Sequence, residues 1–221
     1  MTAQQILSHV DHTLLKPTAT SADIKQLCQE AVEHKVASVC VPPCYVSSIS
    51  EAFVGLNICT VIGFPLGYSE GYSKYAEAMN AIENGANEVD VVVNISHVKN
   101  GYFDKVEAEI AALKRGIGNI TMKLIVETCY LTESEKIRLC QIVTNTGTDY
   151  IKTSTGLGSA GATIEDIRLF KEHIGANVKM KASGGIRTKE DMVMYLEAGC
   201  DRLGTSSAIT ILGGNNNASS Y

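Results

Sequence analysis

Apolar positions along this chain follow two periods that take turns. Short, nearly continuous apolar runs, as over 36–41, 58–62, 88–93 and 122–126, are separated by stretches where apolar residues return every three or four positions, as Val106, Ile110 and Leu113 do. The first pattern suits strands buried on both faces, and the second suits amphipathic helices. The spacing predicts a short leading helix over 3–10, with Ile6 and Leu7 on its apolar side. It predicts strands over 11–15, 36–41, 58–62, 88–93, 122–126, 150–152, 178–182 and 202–204. Helices are predicted over 21–35, 44–53, 73–84, 102–115, 132–145, 163–172, 188–198 and 206–212. Ser21, Thr132, Thr163 and Thr188 stand where a side-chain oxygen would cap a helix, and Asp23, Glu135 and Asp166 follow in first turns, which suits the helix dipole. In the 73–84 helix, Ala76, Met79, Ala81 and Ile82 are expected on the inner side.

Strands that alternate with helices and read as apolar on both faces form a parallel sheet covered by helices. Eight such units in a chain of 221 residues favour a closed (β/α)8 TIM barrel over an open doubly wound sheet. No GxGxxG follows the first strand, which weakens a dinucleotide-binding alternative. One catalytic domain over 1–212 is expected, followed by a polar, Gly- and Asn-rich tail over 213–221 that is expected to be flexible.

Composition narrows the partners. A net charge of −5 argues against nucleic acid or an anionic membrane surface. The seven cysteines form no CxxC pair and no zinc-like spacing with histidine, so reduced thiols in a cytoplasmic protein are expected. The N-terminus lacks a signal-peptide pattern, and no apolar stretch approaches the ~20 residues of a membrane helix. Five scattered histidines lack HxH or HExxH spacing, which argues against a metal-dependent enzyme. His34 and His173 are expected near helix C-termini, and His97 on a loop surface. Tyr68, Tyr72 and Tyr75 are expected at the surface or at a subunit contact.

In a barrel the working end is the C-terminal end of the strands, and strand residues alternate between interior and exterior. In the fourth strand Val89, Val91 and Val93 share the helix-facing side, which turns Asp90 inward. By the same alternation Lys152, beside Ile151, and Lys181, beside Met180, point inward. Three charges thus converge. An ion cluster that only satisfies itself is the plainer alternative, but buried ion groups are expensive and often replaceable by apolar residues. A desolvated lysine beside a second cation is a nucleophile for carbonyl carbons, and a carboxylate beside it moves protons. The loops SGGIRT (183–188) and GTSS (204–207) follow the last two strands and open helices, a common place for phosphate in barrels, with Arg187 able to add a charged contact. The residues alone point to Schiff-base chemistry on a phosphorylated carbonyl compound. They leave open another Schiff-base aldolase or transaldolase, and a silent phosphosugar-binding barrel that needs the loops but not the interior charges.

The motifs DHTLLKP (11–17), GFPLG (63–67), EVDVVVN (88–94), YIKTSTG (150–156), KASGGIRT (181–188), GTSS (204–207) and the terminal ASSY (218–221) together resemble the 2-deoxyribose-5-phosphate aldolase family of class I aldolases, over essentially the whole chain. The resemblance implies reversible cleavage of 2-deoxy-D-ribose 5-phosphate to acetaldehyde and D-glyceraldehyde 3-phosphate, as in deoxyribonucleoside catabolism, with no metal or organic cofactor. It implies Lys152 as the Schiff-base lysine, Lys181 as the cation that keeps it neutral, and Asp90 as a proton shuttle acting with water. Gly184, Gly185, Arg187, Gly204, Ser206 and Ser207 fall on the phosphate motif, with Thr155 and Gly156 near it. Asp11, Thr13 and Cys40 fall on positions lining the pocket, and Tyr221 on a terminal tyrosine that assists proton transfer at the enamine carbon. Leu157 stands where some members carry lysine, and Ala182-Ser183 where some carry Pro-Ala; both departures bear on phosphate affinity. A homodimer is the expected assembly.

Overall fold

The computed structural model describes residues 1–213. Eight parallel strands close into a barrel in sequence order: β1 Val10–Thr13, β2 Ser38–Val41, β3 Ile58–Ile62, β4 Glu88–Val92, β5 Thr121–Ile125, β6 Tyr150–Lys152, β7 Lys179–Ser183 and β8 Arg202–Thr205. The last strand pairs with the first, Asp11 opposite Gly204. Closure leaves no edge strand, and the helices α1 Ala3–Leu7, α2 Ser21–His34, α3 Val46–Ala52, α4 Gly71–Glu83, α5 Ile95–Lys99, α6 Phe103–Ile117, α7 Glu133–Asn145, α8 Ile164–His173, α9 Lys189–Ala198 and α10 Ala208–Leu212 accompany the strands. The alternation is as expected: Val89, Val91, Val93, Met122, Leu124, Ile151 and Met180 belong to the apolar core that joins strands to helices. No helix among the described residues is long and apolar enough to cross a membrane.

Element boundaries moved where local chemistry outweighed periodicity. Thr20, not Ser21, caps α2: its hydroxyl accepts from the Asp23 amide while the Asp23 carboxylate accepts from the Thr20 amide. The leading helix stops at Leu7, because Val10 already pairs with Leu203 in the barrel. The 44–53 segment is a 3-10 turn over Pro43–Tyr45 followed by α3. Helix α5 was not expected; Asn94 caps it by accepting from the His97 amide, so His97 is half-buried on a helix and not on a loop. In α4 Met79, Ala81 and Ile82 face the core as expected, joined by buried Lys74 and Ala78, while Ala76 faces solvent. A lysine at a core position is hidden from a hydrophobic pattern. Tyr68, Tyr72 and Tyr75 are exposed as expected. The tail beyond Gly213, including Tyr221, lies outside the described residues.

Candidate active site

The barrel interior holds a charged cluster. Lys152, at the end of β6, places Nζ 2.7 Å from Asp90 Oδ2. Lys181 on β7 donates to the same oxygen at 2.8 Å, and also to Asp11. Lys123 on β5 donates to Asp90 Oδ1 at 2.8 Å and reaches Glu88 Oε2 at 2.5 Å. Arg202 on β8 closes the set, at 2.6 Å from Asp11 Oδ1 and 3.2 Å from Glu88 Oε1. Strand pairing brings these side chains together: Asp90 is opposite Lys123, Lys152 opposite Lys181, and Lys181 opposite Arg202. Asp11, Asp90, Lys123 and Lys181 are fully buried, and Lys152 is 3 % exposed.

Burial opposes the charge on each of these groups, and the opposite charges outweigh it. Lys123, Lys152 and Lys181 hold the Asp90 carboxyl well below the ordinary carboxylate range. Lys181, Lys123 and Arg202 do the same for Asp11. In turn Asp11 and Asp90 raise Lys181, and Asp90 leads the groups that raise Lys123, so both ammonium groups are charged at neutral pH. Cys59 donates to Asp90 Oδ1 at 3.1 Å; burial, Cys40 and Asp90 push its thiol well up, so it stays a donor. Cys40, opposite Cys59 across β2 and β3, is fully buried beside it. Thr13 ends β1 half-buried, with its hydroxyl donating to the Asp11 carbonyl at 2.7 Å.

The expected phosphate residues lie just beyond this cluster. Thr153 donates its amide to the Lys181 carbonyl and its hydroxyl to the Ser183 carbonyl, which ties the β6 and β7 loops together. Gly184 and Gly185 both adopt positive φ, 80° and 76°, which turns the chain sharply after β7. A Cβ on Gly184 would lie 3.4 Å from the Gly156 Cα, and one on Gly161 would lie 2.2 Å from the Gly184 carbonyl oxygen. Ala162 donates its amide to both the Ser183 and the Gly184 carbonyls. The Thr205 hydroxyl donates to the Ile186 carbonyl at 3.4 Å and receives the Ser207 amide at 3.2 Å, which links the β8 loop to the β7 loop. Among the described residues, the backbone N–H groups of Gly156, Gly184, Gly185 and Ser206 have no hydrogen-bond partner. These residues are half-exposed or exposed and lie on the loops after β6, β7 and β8. Gly204 belongs to β8 itself, where a Cβ would come within 3.2 Å of Lys181 Cε. Arg187 is exposed, and its backbone amide donates to Asp191 at 3.1 Å.

A family model described as DeoC/LacD family aldolase matches residues 5–209. The chain belongs to the DeoC/LacD aldolase family. It is an enzyme of the carbon–carbon lyase class. It is 59% identical over 215 residues to a deoxyribose-phosphate aldolase of Clostridium botulinum, covering 97% of each chain. It is 57% identical over 210 residues to a deoxyribose-phosphate aldolase of Clostridioides difficile, covering 95% of this chain and 96% of that one. The solved tetrameric deoxyribose phosphate aldolase of Aeropyrum pernix superposes with a TM-score of 0.88 at 31% identity, covering 98% of this chain and 93% of that one.

Sequence reasoning found three members of this aldolase's charged cluster and missed Lys123, Glu88 and Arg202. The signal for Lys123 was present: in MKLIV it takes the same alternating slot as Asp90 does in EVDVV. Two lysines around one carboxylate was therefore an incomplete count; the cluster has four cations, Lys123, Lys152, Lys181 and Arg202, and three carboxylates, Asp11, Glu88 and Asp90. Asp11 was expected to line the pocket. It is fully buried, as a counter-ion to Lys181 and Arg202. Cys40, Cys59 and Asp90 present donor atoms within 4.8 Å of one another, as do Asp11, Cys59 and Glu88. Their carboxylates already bind the resident ammonium and guanidinium groups, so a metal cation would have to displace these.

Proposed function

We propose that this aldolase reversibly cleaves 2-deoxy-D-ribose 5-phosphate to acetaldehyde and D-glyceraldehyde 3-phosphate through a Schiff base on Lys152, a step of deoxyribonucleoside breakdown. The observation that carries the proposal is the charge count of the cluster. With Lys152 as a neutral amine, three cations face three carboxylates. An uncharged amine in that place, at the open end of the barrel, adds to an aldehyde carbon. The carbinolamine then loses water to give an iminium. As the C2–C3 bond breaks, its electron pair moves toward the iminium nitrogen, the 3-hydroxyl gives up its proton, and glyceraldehyde 3-phosphate leaves. The enamine takes a proton at C2, and water releases acetaldehyde and the free amine.

Asp90 is ionised at rest, so it acts first as an acceptor that orients the Lys152 amine and the water that relays protons. Lys181 keeps its charge and donates to the same carboxylate oxygen as Lys152. The unpartnered amides of Gly156, Gly184, Gly185 and Ser206, with the Thr155, Gly204 and Ser207 positions and the Arg187 side chain, support a phosphate at the rim. Tyr221 is proposed to assist protonation of the enamine. A cytoplasmic homodimer is the proposed assembly, with exposed Leu66, Tyr68 and Tyr72 offering apolar area for contact.

Product analysis tests the reaction. Acetaldehyde and glyceraldehyde 3-phosphate are expected from the phosphorylated sugar, with kcat/KM about a hundredfold or more above that for unphosphorylated deoxyribose, the scale of a lost set of phosphate contacts. Failure to form acetaldehyde from the phosphorylated sugar would exclude the assignment.

A further inference from the structure

At the top of β5 the chain passes through Glu127, whose φ of 55° and ψ of 68° place a non-glycine residue in the left-handed region. The barrel ladder continues on both sides of it: the Val126 amide donates to the Lys152 carbonyl and the Thr128 amide to the Thr153 carbonyl, each at 3.0 Å. Glu127 therefore sits beside the reactive lysine's strand, and its backbone twist aims its side chain. The residue is 2 % exposed. Both carboxylate oxygens accept from the Thr155 amide, at 3.3 and 3.1 Å. A Cβ on Gly158 would lie 3.0 Å from its Oε1, so the loop after β6 wraps closely around the carboxylate. Glu127 takes part in none of the ion pairs among the described residues, yet it is buried and backbone-strained; two local costs at one residue beside a site point to a positional use.

We infer that Glu127 is a positioning residue for the phosphate end of the substrate, an inference that rests on the phosphate role proposed above for these loops. Of three consecutive amides, Thr155 N–H is taken by Glu127 and Leu157 N–H by the Thr155 hydroxyl at 3.0 Å. Among the described residues, the Gly156 amide between them is the one of the three left to donate to a ligand. The carboxylate selects which amide of the turn is presented and holds Gly156 against Gly184, whose own amide is also unpartnered. Glu127 touches no reacting atom in this role. It acts through the loop and not on Lys152.

Two readouts separate this from a general structural role. One is the KM for 2-deoxyribose 5-phosphate. The other is enzyme-catalysed exchange of the acetaldehyde methyl protons, which needs the Schiff base but no phosphate. Glu127→Ala is expected to raise the KM about tenfold or more, the scale of a lost charged hydrogen bond, and to leave exchange within about twofold of wild type. Glu127→Gln keeps an acceptor for the Thr155 amide and is expected to restore the KM to within about threefold of wild type. Glu127→Asp keeps the charge but falls one methylene short, and is expected to behave like the alanine variant; it carries the test if Glu127→Ala does not fold. A loss of exchange in parallel with the rise in KM, a glutamine variant as poor as alanine, or an aspartate variant with wild-type KM would each overturn the inference. A wild-type enzyme with no preference for phosphorylated over unphosphorylated deoxyribose would instead remove the phosphate role of the loops, and the positioning role with it.

Discussion

At the residue scale, the proposed chemistry turns on the state of one amine. Alternation in a three-residue strand turns Lys152 inward, and its distance of 2.7 Å from Asp90 agrees with that placement. The charges that surround it were only half legible. Lys123 and Arg202 sit on strands whose apolar character was clear, but a single lysine or arginine in such a run reads equally well as a side chain reaching solvent. Only the closed ladder, with Asp90 opposite Lys123 and Lys181 opposite Arg202, decides between the two. The count of four cations to three carboxylates has a direct consequence for Lys181→Leu. Its loss leaves Lys123, Lys152 and Arg202 to match Asp11, Glu88 and Asp90, so a protonated Lys152 now balances the cluster. Asp11 and Asp90, held low in part by Lys181, remain ionised and favour that proton. Turnover in Lys181→Leu is expected to fall about a hundredfold near pH 7 and to recover in part at alkaline pH. A pH–rate profile of unchanged shape would contradict the role assigned to Lys181.

At the element scale, strands and long helices were legible because their periods differ, and short elements were not. Helix α5 has five residues and owes its place to the Asn94 cap, not to an apolar stripe. Helix α4 shows the opposite problem, since its central contact is polar. Lys74 is fully buried and donates to the Val92 carbonyl at 2.9 Å and to Glu109 on α6 at 2.7 Å. One lysine thus joins α4 and α6 to the end of β4, the strand that carries Asp90. Its stem also passes close to Gly63, where a Cβ would lie 2.9 Å from Lys74 Cε. Replacing Lys74 by methionine keeps most of the packing but strands the Glu109 carboxylate, whose side chain is 12 % exposed. Lys74→Met is expected to lower the unfolding free energy by about 3 kcal/mol in urea denaturation, the scale of a broken buried pair. The double variant Lys74→Met, Glu109→Leu is expected to recover most of that loss, because no buried charge is then left unpaired. A single variant as stable as wild type would show that the pair contributes little.

At the scale of the whole molecule, barrel closure makes the site. Members of the cluster come from β1, β4, β5, β6, β7 and β8, and pairing of β8 with β1 brings Arg202 to Asp11 across the length of the sequence. The fold was legible because eight repeats of one pattern leave few alternatives. The loops were legible as candidates from their glycines, whereas their mutual contacts were not. Gly161 and Glu127 carry no motif signal: one matters because a neighbouring backbone comes within van der Waals distance, the other because a carboxylate reaches an amide 28 residues ahead in the chain. Every role proposed for these parts, from charge balance to the phosphate rim, presumes covalent chemistry at Lys152. Borohydride reduction in the presence of acetaldehyde, followed by peptide mass spectrometry, tests that most directly. The account predicts a single ethylated lysine, Lys152, and no such product in Lys152→Ala. An unmodified enzyme, or modification at Lys181 or Lys123 instead, would contradict it.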